Sequence, residues 1–435
     1  MSELYNAPSR HITAQLEFYF TSTPVLVDKH NYLISFDVLE ELGNDSESNP
    51  VGDVSANELD IKLFNSNGMF SPSNTSSPYY GYMKEGVKVV VKVRASEESA
   101  WDELGTFYVK DWYAEVTGLQ ATVTCYDKIY SVTKAQVPAL PITNDTTYVD
   151  AFRAFLNGVG VSHSIDANLP GRMSWWYVMS KSQDTLKKLA GACSAAVFCD
   201  RHDNVKVLNA SAVKGVQHIL TDADQIISAS IKQSINKEYN GLDISISNAQ
   251  LSDTTSLLDI KEYSVVPGIV KSIPVEFSSR PVARLECAKL DTASQRVDLL
   301  GFAYNTDTFE MSIRNDEADH SVVAVSAYGR VVESVKAVYA AYGDNPLVFS
   351  NEYVQNEAAA ARIASILDRY INSQLPDLDL VIRGNPSYQL GDKLTVSSVK
   401  YNLLFTGILQ RAHYFYDGAL HCDIRLVNSE VLEVS

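Results

Sequence analysis

One order of β-strands occurs twice along this chain of 435 residues, and no other feature restricts its fold as much. In the first third, LDIKL (Leu59 to Leu63) precedes GVKVVVKV (Gly86 to Val93) and GTFYVKDWYA (Gly105 to Ala114), then a turn at Thr117-Gly118 and LQATVTCYD (Leu119 to Asp127). Near the C-terminus LDLVIRG (Leu378 to Gly384) precedes GDKLTV (Gly391 to Val396) and GILQRAHYFY (Gly407 to Tyr416), then an Asp417-Gly418 turn and ALHCDIRLV (Ala419 to Val427). Each copy has a Leu-Asp-aliphatic strand, a glycine opening an alternating strand, a second glycine opening an aromatic strand, and a closing strand with one cysteine, Cys125 or Cys422. Gly86 to Gly105 is 19 residues against 16 for Gly391 to Gly407, a drift that loops absorb. A duplicated β-module is a pseudo-two-fold block, which lets an odd-numbered ring behave as one with twice as many units. Two unrelated antiparallel hairpins are the alternative that the residues leave open.

The length exceeds one ordinary core, so several domains are expected. From His11 to Val132 the apolar period is two, with Ile12, Ala14, Leu16 and Phe18 on one face. Gly43 to Asp53 reads as a polar surface loop. A longer excursion, Asn65 to Tyr82, carries Tyr79, Tyr80 and Tyr82 among Pro, Ser and Asn, and these three are candidate partner contacts. Rings folded back over the end of the barrel are the plainer reading of the same tyrosines.

From Pro138 to Ala212 the period becomes 3.6. Tyr148, Phe152, Phe155 and Leu156 predict one helix, with Asn144 to Thr146 as cap candidates and Gly158 as the stop. A second helix is predicted from Ser182, and Ala196 to Leu208 reads as a hairpin turning near Asp203-Asn204. Trp175 and Trp176 are expected in the core. Ile227 to Ser247 reads as two strands around an Asn240-Gly241 turn. Val322 to Tyr328 is apolar on both faces and is expected to be well buried. A further helix is predicted from Glu352 to Ser373, capped by Ser350 or Asn351 and followed by Pro376.

Motifs that carry chemistry are missing. There is no GxxxxGK[ST], HExxH or GxSxG, and Gly158-Val159-Gly160 lacks the third glycine of a dinucleotide loop. His163 reads as a loop residue, and Asp316, Glu317, Asp319 and His320 lack the order of a calcium loop. The five cysteines form no CxxC and read as small apolar residues. Neither a metal, a cofactor nor catalysis is expected. The net charge of −17 disfavours binding to phosphates, which needs concentrated positive charge. The first residues lack a secretion signal and no apolar run spans a bilayer, so synthesis in a cytoplasm is expected, with the protein staying there or leaving by lysis.

DLDLVIRGNPSYQLGDKLTV (Asp377 to Val396), preceded by the Ala-rich stretch Ala358 to Leu367 and followed by an aromatic hairpin with a DG turn, resembles the C-terminal part of bacteriophage tail baseplate hub and tail-tip hub proteins. ANELDIKLFNSNGMFSP (Ala56 to Pro72), with GVKVVVKV and GTFYVKDW, is similar to the first tube-type barrel of that family. The resemblance implies a mainly β fold with α+β inserts. It divides the chain into a first tube-like antiparallel β-barrel (10–135), a small α/β insert (138–212), a second barrel (220–260 with 376–430), and an inserted β/α part ending in a helix (261–375). It further implies a non-enzymatic virion protein of the tail baseplate or tail tip, a homotrimer whose two barrels per chain form a pseudo-six-fold ring. Such a ring joins the hexameric tail tube, or distal tail protein, to a three-fold spike or tail-tip protein, contacts a tape measure protein, and passes DNA without binding it specifically. A receptor- or carbohydrate-binding tail component is the alternative, and hydrolysis of cell-wall sugar ranks third.

Overall fold

The computed structural model describes residues 5, 10–43, 52–96, 100–115, 119–138, 140–209, 217–221, 226–232, 239–258, 261–268, 270–292, 296–304, 308–372, 377–400 and 402–428. Most of the loop expected at Gly43 to Asp53, the Thr117-Gly118 turn and Pro376 lie outside these residues. The fold is mainly β, as expected.

The N-terminal strands are β1 (Thr13–Tyr19), β2 (Val25–Asp28), β3 (Leu33–Glu41), β4 (Glu58–Phe64), β5 (Lys88–Arg94), β6 (Asp102–Ala114) and β7 (Gln120–Tyr126). Their alternation sets one row of side chains inward: Ile12, Ala14, Leu16 and Phe18 are buried, as are Leu59, Ile61 and Leu63. A short helix, α1 (Lys128–Lys134), follows where the strand pattern was expected to continue; Asp127 caps it by accepting from the N–H of Ile129.

The intervening segment contains β8 (Thr143–Thr147), α2 (Tyr148–Val159), β9 (His163–Ile165), β10 (Arg172–Trp176), α3 (Ser182–Cys193), β11 (Ala195–Cys199) and β12 (Val205–Asn209). Thr147, not Asn144 to Thr146, caps α2 by accepting from the N–H of Asp150, and the left-handed terminus is Gly160 rather than Gly158. β11 and β12 form the expected hairpin, with Asp203 at positive φ in its turn. Trp176 is buried as expected, whereas Trp175 is half-buried.

The chain then gives β13 (Gln217–Thr221), β14 (Ile226–Lys232), β15 (Gly241–Leu251), β16 (Thr255–Ser256), β17 (Lys261–Val265), β18 (Val270–Glu276), β19 (Val282–Thr292), β20 (Val297–Tyr304), β21 (Thr308–Asn315), β22 (Ser321–Tyr342) and β23 (Pro346–Ser350). It closes with α4 (Glu357–Asn372), β24 (Asp377–Arg383), β25 (Lys393–Ser398), β26 (Leu403–Tyr416) and β27 (Leu420–Asn428).

Two expectations fail between residues 220 and 330. β14 and β15 are not a hairpin: β14 pairs with β24, while β15 pairs with β22 and β23 in another sheet. Asn240 is tied instead to Asn345, donating its N–H to that carbonyl at 3.0 Å and accepting that residue's N–H at 2.8 Å. The stretch 220–260, placed whole with the second barrel, is therefore divided between two sheets. Within Val322 to Tyr328 only Val323, Val325 and Ala327 are buried; Val322 and Tyr328 face outward, because the strands β18, β20 and β21 lie over one side alone.

Helix α4 begins five residues later than predicted. Asn356 caps it, accepting from the N–H of Ala359 at 2.9 Å, while Asn351 holds the N–H of Tyr353 and the carbonyl of Lys188. Its buried stripe (Ala359, Ala360, Ile363, Ile366, Leu367) shares one core with α2, α3, Leu242, Ile244 and Phe349. The segment expected as a separate insert is thus packed into the same core as the long connection that follows it. Two buried hydrogen bonds cross between them: Tyr148 donates to the carbonyl of Tyr353 at 2.8 Å, and Tyr353 donates to that of Tyr177 at 2.6 Å.

Candidate functional site: the joint between two matching modules

Five neighbouring strands occur twice in one sheet. The N-terminal module runs β3-β4-β7-β6-β5 and the C-terminal module β14-β24-β27-β26-β25, all antiparallel. The match extends to register. Asp60 stands opposite Thr124 and Asp379 opposite Arg425, and each aspartate accepts from its partner, at 2.6 and 2.8 Å. A bulge at Ile34, between Leu33 and Ser35, has its counterpart at Ile227, between Ile226 and Ser228. A second bulge separates Val109 from Asp111 in β6 and Leu409 from Arg411 in β26. Bulges reset side-chain direction and twist, so two shared bulges are a stronger sign of duplication than residue identity. The outermost strands differ: β1 lies antiparallel to β5, whereas β13 lies parallel to β25.

The register also corrects the correspondence read from the sequence. With Asp60 and Asp379 matched, Cys125 falls opposite Leu59 but Cys422 opposite Ile382, at the other end of its strand. The second glycine does not correspond either, since Gly105 pairs with Val91 while Gly407 pairs with Leu394, the counterpart of Val89.

The two modules are joined along β3 and β26, from Arg411 opposite Glu41 to Tyr416 opposite Phe36. Phe36 and Tyr416 stack at 5.4 Å, and His413 Nε2 lies 3.3 Å from Asp37. Phe36, Val38 and Glu40 all point inward from β3, so a carboxylate occupies a position the alternation reserves for an apolar side chain. Arg201, from the tip of the β11–β12 hairpin, meets it there. Its Nε and Nη2 donate to the two Glu40 oxygens at 2.8 and 2.6 Å. The same guanidinium donates to the carbonyls of Pro386 and Tyr388 and to the Tyr414 hydroxyl, and lies over the Tyr414 ring at 5.3 Å. Both charged groups are nearly inaccessible, at 7% and 4% exposure. Burial alone would lower the Arg201 pKa; the paired carboxylate outweighs it and holds the guanidinium above its ordinary value.

The rest of the hairpin grips the N-terminal module. The Tyr108 hydroxyl donates to Asp203 at 2.5 Å, Lys128 lies 3.4 Å from that carboxylate, and His202 Nδ1 lies 3.0 Å from Glu103. Asn57 donates to the carbonyl of Cys199 at 3.2 Å, while its own N–H reaches Asp127. Burial lifts the Asp127 carboxyl to about 7, against the lowering effect of its backbone hydrogen bonds. The hairpin is therefore a wedge bonded to both modules at their seam.

The tyrosine-rich excursion is a staircase of turns. Gly68, Ser71, Asn74, Ser77 and Tyr80 each donate their N–H to the carbonyl three residues back. Tyr79 turns inward and stacks on Phe20 at 5.0 Å and Phe70 at 5.8 Å, whereas Tyr80 and Tyr82 are 50% and 45% exposed. The structure thus splits the three candidate contact residues, leaving two of them on the surface.

Burial raises the thiol of Cys193 to about 12 and that of Cys422 well above its ordinary value, so neither supplies a thiolate. Among the described residues no cluster of three or more His, Cys, Asp or Glu could hold a metal, and no helix is long and apolar enough to cross a membrane. The residues between Arg314 and His320 form a turn held by Asn315, which donates to the carbonyls of Val265 and Asp319. His163 is half-buried at a short strand, with its Nδ1 3.0 Å from the carbonyl of Val161.

The fold is similar to that of solved bacteriophage tail proteins. The 43 kDa tail protein of prophage MuSo2 from Shewanella oneidensis superposes with a TM-score of 0.54 at 12% identity, over 97% of this chain and 99% of that one. The tail protein from Neisseria meningitidis MC58 gives 0.54 at 9% identity, over 97% and 98%. No family profile matches the chain, and no curated protein matches it.

Proposed function

We propose that this chain is a structural virion protein, the hub of a phage tail baseplate or tail tip. Three copies form a ring of six similar modules that joins a hexameric tail tube or distal tail protein to a three-fold spike or tail-tip protein. A tape measure protein and then DNA pass through its channel. One observation carries the reading: a five-strand module duplicated down to its bulges and welded head to tail through β3 and β26. A head-to-tail joint repeats around an axis, so it closes into a ring when the rotation divides the circle. The net charge of −17 suits a wall that DNA slides past. Native mass spectrometry with low-resolution electron microscopy tests this: a trimeric annulus supports it, and a monomer at every accessible concentration ends it.

The exposed pair Tyr80 and Tyr82 on an ordered loop favours a second reading, recognition of a receptor or carbohydrate. A monomer that retains glycans on an array, and loses them on Tyr80→Ala/Tyr82→Ala substitution, supports that alternative.

A further inference from the structure

We propose that the contact between neighbouring copies repeats the internal joint, with the far end of β6 in one copy pairing antiparallel with β14 of the next. This deepens the ring reading above and rests on it.

In the internal joint, β25 covers β26 only from Leu403 to Ile408, and β3 takes the same edge from Arg411 to Tyr416. β6 is divided in the same way. β5 covers it from Asp102 to Tyr108, and beyond the bulge Asp111 to Ala114 pair only with β7 among the described residues. The counterpart of β3 is β14, which ends the strand order and among the described residues pairs only with β24. One copy thus offers both halves of the joint it already contains, and the two halves lie on different modules. Among the described residues they do not pair within one copy, so their meeting would be a contact between copies.

The shared bulges and the aspartate match fix the register. Residues 411–415 correspond to 111–115, and Asp37, Val38 and Leu39 to Ser230, Ile231 and Lys232. Tyr113 then stands opposite Lys232, Ala114 opposite Ile231, and Glu115 opposite Ser230. Burial agrees. Val38, covered by β26, is 0% exposed, whereas its counterpart Ile231 is 57% exposed and Tyr113 is 62% exposed. Their counterparts Val38 and His413 are buried and half-buried beside a partner strand, which Ile231 and Tyr113 lack on that edge among the described residues. An open edge bearing large apolar side chains is a template for another chain.

Cysteine pairs test the register in the full chain. The N–H of Leu42 bonds the carbonyl of Gln410 at 2.9 Å, which marks Arg411/Glu41, and by alternation His413/Leu39, as non-hydrogen-bonded positions. Cα atoms at such positions stand about 4.5 Å apart, within reach of a disulfide. Leu39→Cys with His413→Cys should close within one chain and calibrates the yield. Tyr113→Cys with Lys232→Cys should instead give covalent dimers and trimers on a non-reducing gel, at a similar yield, and neither single variant should. Oligomers that assemble while neither this pair nor Glu115→Cys/Ser230→Cys cross-links overturn the proposed edge and leave the ring intact. A chain that stays monomeric overturns the ring itself and the edge with it.

Discussion

The backbone N–H of Gly391 donates to the carbonyl of Leu409 at 2.9 Å, and Leu409 returns a bond of the same length to the carbonyl of Asp392. In the other module Gly86 donates to Val109 at 2.8 Å, and Val109 donates to Val87 at 2.9 Å. Both glycines sit at nearly the same positive φ, +86° and +84°. The bracket turns the entering strand off the long partner strand beside the bulge, which frees the far end of that strand for a new neighbour. In β26 that neighbour is β3. The glycine bracket is therefore the local device that makes a module able to join another.

Gly86 isolates the cost of that backbone angle, because nothing lies within 4 Å of where its Cβ would stand. Gly86→Ala should lower stability by about 1 kcal/mol through the left-handed conformation alone, and Gly86→Asn by less. Chemical denaturation of the three proteins checks this. Equal midpoints for Ala and Gly would show that the angle is not what the position requires.

Arg201 and Glu40 make a stronger demand. Arg201→Met strands a carboxylate at 4% exposure and should cost about 3–5 kcal/mol. Arg201→Met combined with Glu40→Leu should recover most of the loss, since an apolar pair removes the unpaired charge. A double-mutant cycle by calorimetry measures the coupling. Additive losses would mean that the seam does not depend on this pair.

The repeat was legible because alternation and turn glycines survive when identity has drifted. Its details were not, because chemically equivalent solutions can sit at different positions. The ring of Phe107 packs where a Cβ on Gly105 would stand, at 2.5 Å, and the ring of Phe405 does the same over Gly407 at 2.7 Å. Gly-x-Phe in one module is thus Phe-x-Gly in the other, and matching glycine to glycine misplaces the register by two residues. Asn240-Gly241 misled for another reason: the local turn signal lost to a pairing with residues about a hundred positions away. The Arg201–Glu40 pair spans 161 residues, but half of it left a trace, an acid at the third inward position of Phe36, Val38 and Glu40.

Asp127 should make stability depend on pH. Its folded pKa of about 7 exceeds the ordinary carboxylate value because the group is buried, so the folded state favours the protonated form. Its contribution is complete below the unfolded pKa, near 4, and is lost as pH rises through about 7. Asp127→Asn keeps one acceptor oxygen where the carboxylate uses two, Oδ2 for the N–H of Asn57 and Oδ1 for that of Ile129, which costs a pH-independent amount, and it cannot ionise. The variant's melting temperature relative to the parent should therefore rise between pH 5 and pH 8. A constant difference across that interval would place the Asp127 titration elsewhere.

The three tyrosines of the turn staircase should separate by role. Tyr79 packs in the aromatic cluster of Phe18, Phe20, Phe70 and Trp112, so Tyr79→Ala should cost about 1–2 kcal/mol from lost stacking and burial. Tyr80→Ala and Tyr82→Ala remove rings that are half exposed and should leave stability within about 0.5 kcal/mol of the parent. If these two form a partner surface, the double variant should melt like the parent yet fail to co-sediment with purified tail tubes or tips. Retained co-sedimentation would remove the loop from the interface, and a large drop in melting temperature would make both rings structural, as Tyr79 is.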